Sequence, residues 1–208
     1  MTHSASTVGP VGNVYDKYGS KNPAVRFLMR RFRAQISAHI RSVAPESVLD
    51  AGCGEGVLTR EIAAMLPGSR LVGLDVPSPV LRSHWRAHGG AEFVEGSIYS
   101  LPFAAGEFSL VVALEVLEHL ERPAEALVEL ARVSSGWLLL SVPREPLWRG
   151  LNMLSGRYLP DLGNTPGHIQ HWSRGQFERF VNQGGAIAEV SGPFPWTVAL
   201  VRRRQPLP

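Results

Sequence analysis

The chain has 208 residues, 44% of them hydrophobic and 19% charged, with a formal net charge of +3. That is enough apolar material for one packed domain and too much for a disordered tail, while the mild basicity does not by itself point to nucleic acid. A single cysteine excludes a disulfide framework and a four-cysteine zinc site, and the absence of an 18-residue apolar run or a signal-like leader sets the expectation of a cytoplasmic protein without a membrane span.

Residues 1–23 are rich in Gly, Ser, Thr and Pro and read as a flexible N-terminal segment; the domain is expected over 24–204, with 205–208 as a tail. Val25, Leu28, Met29, Phe32, Ile36 and Ile40 then recur at helical spacing and form one apolar stripe. Arg26, Arg30, Arg31, Arg33 and Arg41 line much of the rest, and no acid occurs between Lys21 and Pro45. The pattern predicts an amphipathic helix packed on the domain, with contact to an anionic substrate or membrane surface as the other reading. His39, His84 and His88 fall in helical surface patterns and read as solvated.

From residue 47 onward short apolar runs alternate with helical patterns. Strands are expected at 47–51, 70–75, 91–95, 109–114 and 137–142, and helices at 57–65, 79–87 and 123–133. Two further strands near 187–191 and 197–202 are joined by a connection short enough for an antiparallel pair. The expectation is an α/β fold: a Rossmann-like, seven-stranded, mostly parallel sheet with helices on both faces and an antiparallel last strand. Residues 143–172 break the rhythm. Ordinary connections run about 2–6 residues, so this stretch reads as an inserted lid with a short helix of its own. Its apolar inner face would be Trp148, Leu151, Met153 and Tyr158. Ser173 with Gln176 predicts a capping-box start for a helix at 174–182.

The most informative segment runs from Val48 to Gly56, V-L-D-A-G-C-G-E-G. A buried strand ends in Asp50, and glycine recurs at 52, 54 and 56, where it lets the backbone turn sharply and a ligand approach main-chain N–H groups. The spacing is G-x-G-x-G, with Val57 where the dinucleotide fingerprint has its third glycine, which disfavours a nicotinamide dehydrogenase. Asp75 ends the next strand, placed for ribose hydroxyls. Cys53, inside the loop, reads as a small packing residue.

On these residues the chain resembles the class I S-adenosylmethionine-dependent methyltransferases over about Tyr15 to Arg204. The resemblance implies that Asp50, Gly52, Gly54 and Gly56 form the first motif and that Asp75 binds the ribose. Ser97 and Ile98 fall beside the adenine, where many relatives have Asp at the position of Ser97, a stronger acceptor than a hydroxyl. Tyr15 and Tyr18 lie in a segment that often folds over the cofactor in relatives.

Downstream, E-V-L-E-H-L leaves the fourth strand at its carboxyl end, the edge where open α/β sheets bind ligands. Glu115, Glu118 and His119 stand at i, i+3 and i+4, so one helical turn would put them on one face. With His168, or His171 in its place, they offer ligands for Mg²⁺, Mn²⁺ or Zn²⁺. This pattern resembles two metal-dependent branches of the superfamily, the small-RNA 2′-O-methyltransferases and the ubiquinone-pathway O-methyltransferases. The same turn also occurs in metal-free methyltransferases, where Glu115 would lie near the methionine end of the cofactor and His119 or His168 would be the general base. The leading expectation is O-methylation of a small-molecule acceptor such as a natural product, sugar or phenol. The alternatives are action on RNA 3′ ends, with the arginines on phosphates, and a non-catalytic cofactor-binding subunit.

Overall fold

The computed structural model describes residues 22–87, 90–156 and 158–204. Tyr15, Tyr18, His88, the tail 205–208 and all of the expected N-terminal segment 1–23 except Asn22 and Pro23, which begin the first helix, lie outside the described residues.

Seven strands form one sheet: β1 (Ser47–Ala51), β2 (Arg70–Asp75), β3 (Glu92–Glu95), β4 (Phe108–Leu114), β5 (Ser134–Pro143), β6 (Gly185–Ser191) and β7 (Trp196–Arg203). Their order is β3-β2-β1-β4-β5-β7-β6. β1 through β5 pair in parallel, and β7 runs antiparallel to both β5 and β6. The strand order reverses between β1 and β4, which pair directly, so the crevice outside their carboxyl ends is the place where such sheets accept ligands.

Period-two alternation divides the core. Leu49, Val111, Ala113, Leu138, Leu140, Ala199 and Val201 pack on one face of the sheet with Leu127 and Leu130 of α4 (Pro123–Val133) and Phe177 and Val181 of α6 (Arg174–Val181). Val48, Leu110, Val112, Leu139, Val198 and Leu200 pack on the other face with α1 (Pro23–Val43) and Ile62 of α2 (Val57–Met65). Each fully buried aliphatic or aromatic side chain in these layers contributes about 1.5–3 kcal/mol. Helix α3 (Pro79–Ala87) follows β2.

α1 starts at Asn22, whose side chain accepts the Ala24 N–H, with Pro at the first helical position. It ends on Ala44 in the left-handed region. The expected stripe is buried through Met29, Phe32, Ile36 and Ile40. His39 corrects its expected solvation: it is 2% exposed, with Nε2 3.0 Å from Ser191 Oγ and 3.2 Å from Gln35 Nε2. Burial lowers its pKa, against the nearby Glu189. A neutral imidazole thus joins α1 to the β6 edge.

Residues 143–172 contain α5 (Leu147–Leu154) and a short 3₁₀ turn (Leu159–Asp161). Helix α6 begins at Ser173 with the capping box formed on both sides. The expected helical turn at 115–119 is not an α-helix. Leu114 ends β4, Glu115 takes a positive φ of 58°, and Leu117–His119 is a three-residue 3₁₀ turn. Glu115 N–H is tied back to Ser141 O at 3.1 Å, which forces the chain sideways before a helix can start.

Candidate active site

One cavity of about 640 Å³ opens at the switch point and runs from the glycine loop to α1 and α5.

At its first end the walls are main chain. Gly52 and Cys53 N–H donate to Leu74 O at 2.7 and 3.1 Å, locking the loop onto the end of β2. Gly54 N–H donates to Asp75 Oδ2 at 2.6 Å, and Val76 N–H to Oδ1 at 2.7 Å. Trp85 of α3 donates its indole N–H to Gly54 O at 2.8 Å. Gly52 sits at φ 81°, and a Cβ there would stand 2.5 Å from a Val116 methyl. Gly54, at φ 53°, has nothing within 4 Å of a Cβ position; it leaves an open cradle against the cavity. That space, an acid able to accept hydroxyls and backbone amides nearby fit a nucleoside ligand.

Asp50 is buried and accepts the Thr59 hydroxyl at 2.7 Å. Desolvation pushes its pKa up to about 6, the Thr59 bond opposing and the charge of Asp75 adding. Asp75 is also raised by burial, against its two amide donors. Burial pushes the Cys53 thiol far up, so it is neutral and not a nucleophile.

The second end is built from side chains. The Glu115 carboxylate accepts the indole N–H of Trp196 at the start of β7. Next along the chain, the 3₁₀ turn is gripped by the returning segment. Ile169 and Gln170 N–H donate to Glu118 O at 2.9 and 3.0 Å, and Gln170 Nε2 donates to Leu120 O. His119 Nδ1 lies 2.9 Å from Gly167 O. A carbonyl only accepts, so Nδ1 carries the proton and a neutral ring has its lone pair on Nε2. The His119 and His168 rings meet edge to face at 4.8 Å, and Trp148 stacks on His168 at 6.3 Å. Glu118 and His168 are buried. One ligand atom from each of Glu118, His119 and His168 lies within 4.8 Å of the others. Among the described residues Glu115 does not join that group.

Of the residues singled out for the cofactor, Asp50, Gly52, Gly54, Asp75, Ile98 and Glu115 line the cavity. Gly56 does not; it opens α2 in the left-handed region. Ser97 does not either: it is exposed, and its hydroxyl accepts the Tyr99 N–H. Glu118, His119 and His168 line the cavity, whereas His171 is exposed and bonds Asn164. Trp148, Leu151 and Tyr158 face in as expected, while Met153 is 44% exposed and outside the lining. Sequence reasoning missed Trp196, Thr165, Asn152 and the α1 residues Val25, Leu28 and Met29 as walls. The α1 residues carried a signal, since they are the first turns of the apolar stripe and had to face something.

Residues 49–140 match the methyltransferase domain family. The chain is 32% identical over 112 residues to a malonyl-[acyl-carrier protein] O-methyltransferase of Legionella pneumophila, covering 51% of this chain and 39% of that protein. It is 30% identical over 159 residues to a ubiquinone biosynthesis O-methyltransferase of a Methylobacterium species, covering 70% of this chain and 62% of the relative. The chain thus spans well under two thirds of the first of these relatives and slightly under two thirds of the second. Among solved structures, a Pyrococcus horikoshii protein superposes with a TM-score of 0.69 at 16% identity, covering 92% of this chain and 97% of that one. Magnesium protoporphyrin IX methyltransferase from Synechocystis, with bound S-adenosylhomocysteine, gives 0.63 at 20% identity, covering 89% and 90%. Fold, glycine loop and matches together are those of the class I S-adenosylmethionine-dependent methyltransferases, with the methyltransferase-domain match confined to residues 49–140.

Proposed function

We propose that this chain methylates a hydroxyl oxygen of a small, largely apolar acceptor. The observation that carries this reading is the continuity of one cavity from the glycine loop and Asp75 to the histidine pair and the aromatic wall of Trp148 and Trp196. S-adenosylmethionine supplies an already activated methyl group. Asp75 and the amides around Gly54 hold its nucleoside, and Glu115 faces the space between the two ends. The chain's remaining tasks are to place an oxygen in line at about 3 Å and to take its proton. His119 is the base: its Nδ1–H is fixed on Gly167 O, so Nε2 takes the hydroxyl proton. His168 and Glu118, buried behind it, hold the ring in place. Residues 143–172 act as the lid, with Trp148, Leu151 and Tyr158 excluding water from the acceptor.

A second reading of the same side chains rests on the close grouping of Glu118, His119 and His168. One carboxylate and two imidazoles suit Mn²⁺ or Zn²⁺ better than Mg²⁺, which prefers oxygen throughout. These three residues would hold the ion, which would lower the pKa of a bound hydroxyl; Glu115, engaged by Trp196, would not. Radiolabelled methyl transfer to a panel of phenols and apolar alcohols, with and without chelator, decides both points. Transfer that persists in chelator supports the His119 base, and transfer restored only by Mn²⁺ or Zn²⁺ supports the ion. Methylation of a 3′-terminal ribose in an RNA oligonucleotide, with none of the small acceptors, would overturn the acceptor class.

A further inference from the structure

We propose that the face around the cavity mouth, formed by the first turns of α1 and by residues 147–162, docks on an anionic lipid surface. The exposed lining residues include Asn22 and Ala24 at the start of α1 and Ser155 after α5, with Val76, His119, Pro166 and Gly167 exposed along the rest of the rim, so the cavity reaches the surface at this face among others. Large apolar side chains on a soluble surface are normally scattered, and a cluster of them marks a contact. Here six of the eleven exposed ones among the described residues fall between 147 and 169. Leu154, next to Ser155, is 88% exposed; Leu159 and Leu162 follow at 53% and 62%. On α1, whose neighbouring residues Val25 and Leu28 line the cavity, Phe27 is 48% exposed one turn into the helix.

Charge selects the occupant. Arg26, Arg30 and Arg31 are exposed on the same turns of α1, and the helix contains no acid over its 21 residues. The Arg30 and Arg31 guanidinium groups lie 5.7 and 5.9 Å from the Phe27 ring centre. In sequence, residues 147–162 add Arg149 and Arg157 and a single acid, Asp161. Apolar side chains flanked by arginines are the pattern of an interfacial helix, whose rings and leucines enter the headgroup boundary while the cations meet anionic lipids. Nucleic acid phosphates would satisfy the arginines but leave Leu154, Leu159 and Leu162 in water, and a second copy would bring like charge against like. An acceptor dissolved in the bilayer then reaches the cavity through this mouth without crossing water.

Vesicle co-sedimentation of the full chain tests this without any turnover, so its outcome is separate from that of the assigned reaction. The probes are phosphatidylcholine vesicles, alone or with about a third phosphatidylglycerol, at low and high salt. Binding to the anionic vesicles only, weakened by salt, is expected. Each arginine near such a surface is worth roughly fivefold, so replacing Arg26, Arg30 and Arg31 together by Gln lowers partitioning by at least about tenfold. Leu154→Ser with Leu162→Ser gives a loss of about tenfold from the apolar side. Thermal melting checks that both variants fold. No binding to anionic vesicles, binding indifferent to both sets of substitutions, or arginine-dependent capture of an RNA oligonucleotide in place of vesicles would each overturn the proposal.

Discussion

The glycine-loop end of the cavity and its histidine end differ in what supplies their polar groups. At the first, backbone amides and one carboxylate are fixed by hydrogen bonds of 2.6–3.1 Å to the ends of β2 and α3. At the second, the groups are side chains on a three-residue 3₁₀ turn and on the return of a 30-residue insertion, held by contacts between those two pieces. A main-chain site can serve any sequence that keeps its glycines, so that end is built for the ligand shared across a superfamily. A side-chain site on an insertion changes with every substitution, and it carries what is particular to this protein.

If the two ends have separate tasks, variants should separate them. The largest effect is expected at the second end. His119→Ala should lower turnover about 10²–10⁴-fold, which is about 2.7–5.5 kcal/mol, while S-adenosylhomocysteine affinity measured by calorimetry stays within about twofold. A matching loss of cofactor affinity would mean that the ends form one unit.

Asp50 tests the first end through pH. Its carboxyl is held near pKa 6, above the 3.8 of a free group. Between those values the unfolded chain releases its proton while the folded chain keeps it, so ligand-free stability falls as pH rises through that window and stays lower above it. Asp50→Asn keeps an acceptor for Thr59 and removes the buried charge. It should therefore raise apo stability by about 2–3 kcal/mol at pH 7–8 and leave it unchanged near pH 4. Denaturant unfolding at the two pH values reads this directly; equal gains at both would assign the effect to packing and not to ionisation.

Asp75→Ala should weaken cofactor binding by about 1.5–3 kcal/mol, through loss of charge-assisted hydrogen bonds to the ligand and release of the Gly54 amide. Any bound complex should turn over at a rate close to wild type. Calorimetry at saturating acceptor, followed by single-turnover rates, distinguishes a binding loss from a chemical one. A large rate loss in the saturated complex would place Asp75 in the chemistry.

The first end was legible because its information is local: the strand, the G-x-G-x-G spacing and the strand-end acid lie in runs of a few residues, and sheet pairing simply carries Asp75 to Gly54. The second end was legible in composition and not in geometry. The i, i+3, i+4 spacing of Glu115, Glu118 and His119 implies a shared face only in an α-helix, and the positive φ of Glu115 cancels that. Glu115 turns instead to Trp196, whose arrival depends on β7 pairing antiparallel with β5 so that Pro143 stands opposite Trp196. No local pattern encodes that pairing. His39 was misplaced for a related reason: the apolar stripe of α1 is wide enough to bury position 39, and the partner that makes burial tolerable, Ser191, is 152 residues away.

The smallest effect concerns how α5 is held within residues 143–172. Trp148 and Asn152 of α5 both donate to the Thr165 hydroxyl, at 2.9 and 3.1 Å, and Asn152 also donates to Gly163 O at 2.8 Å. These bonds tie the helix to the returning segment around Gly163–Thr165, and α5 has no fully buried residue of its own to do so. Thr165→Val keeps the shape and removes the shared acceptor. The two donors are half-exposed and can turn to water, so the loss should be near 1 kcal/mol. It should fall on local opening and not on global unfolding. Hydrogen exchange should therefore speed up roughly fivefold at amides of Leu147–Leu154, with the strands and the midpoint of thermal unfolding unchanged. Equal acceleration in β4 and β5 would show that the insertion opens only with the sheet, and the contrast between a fixed cofactor end and an adjustable acceptor end would then fail.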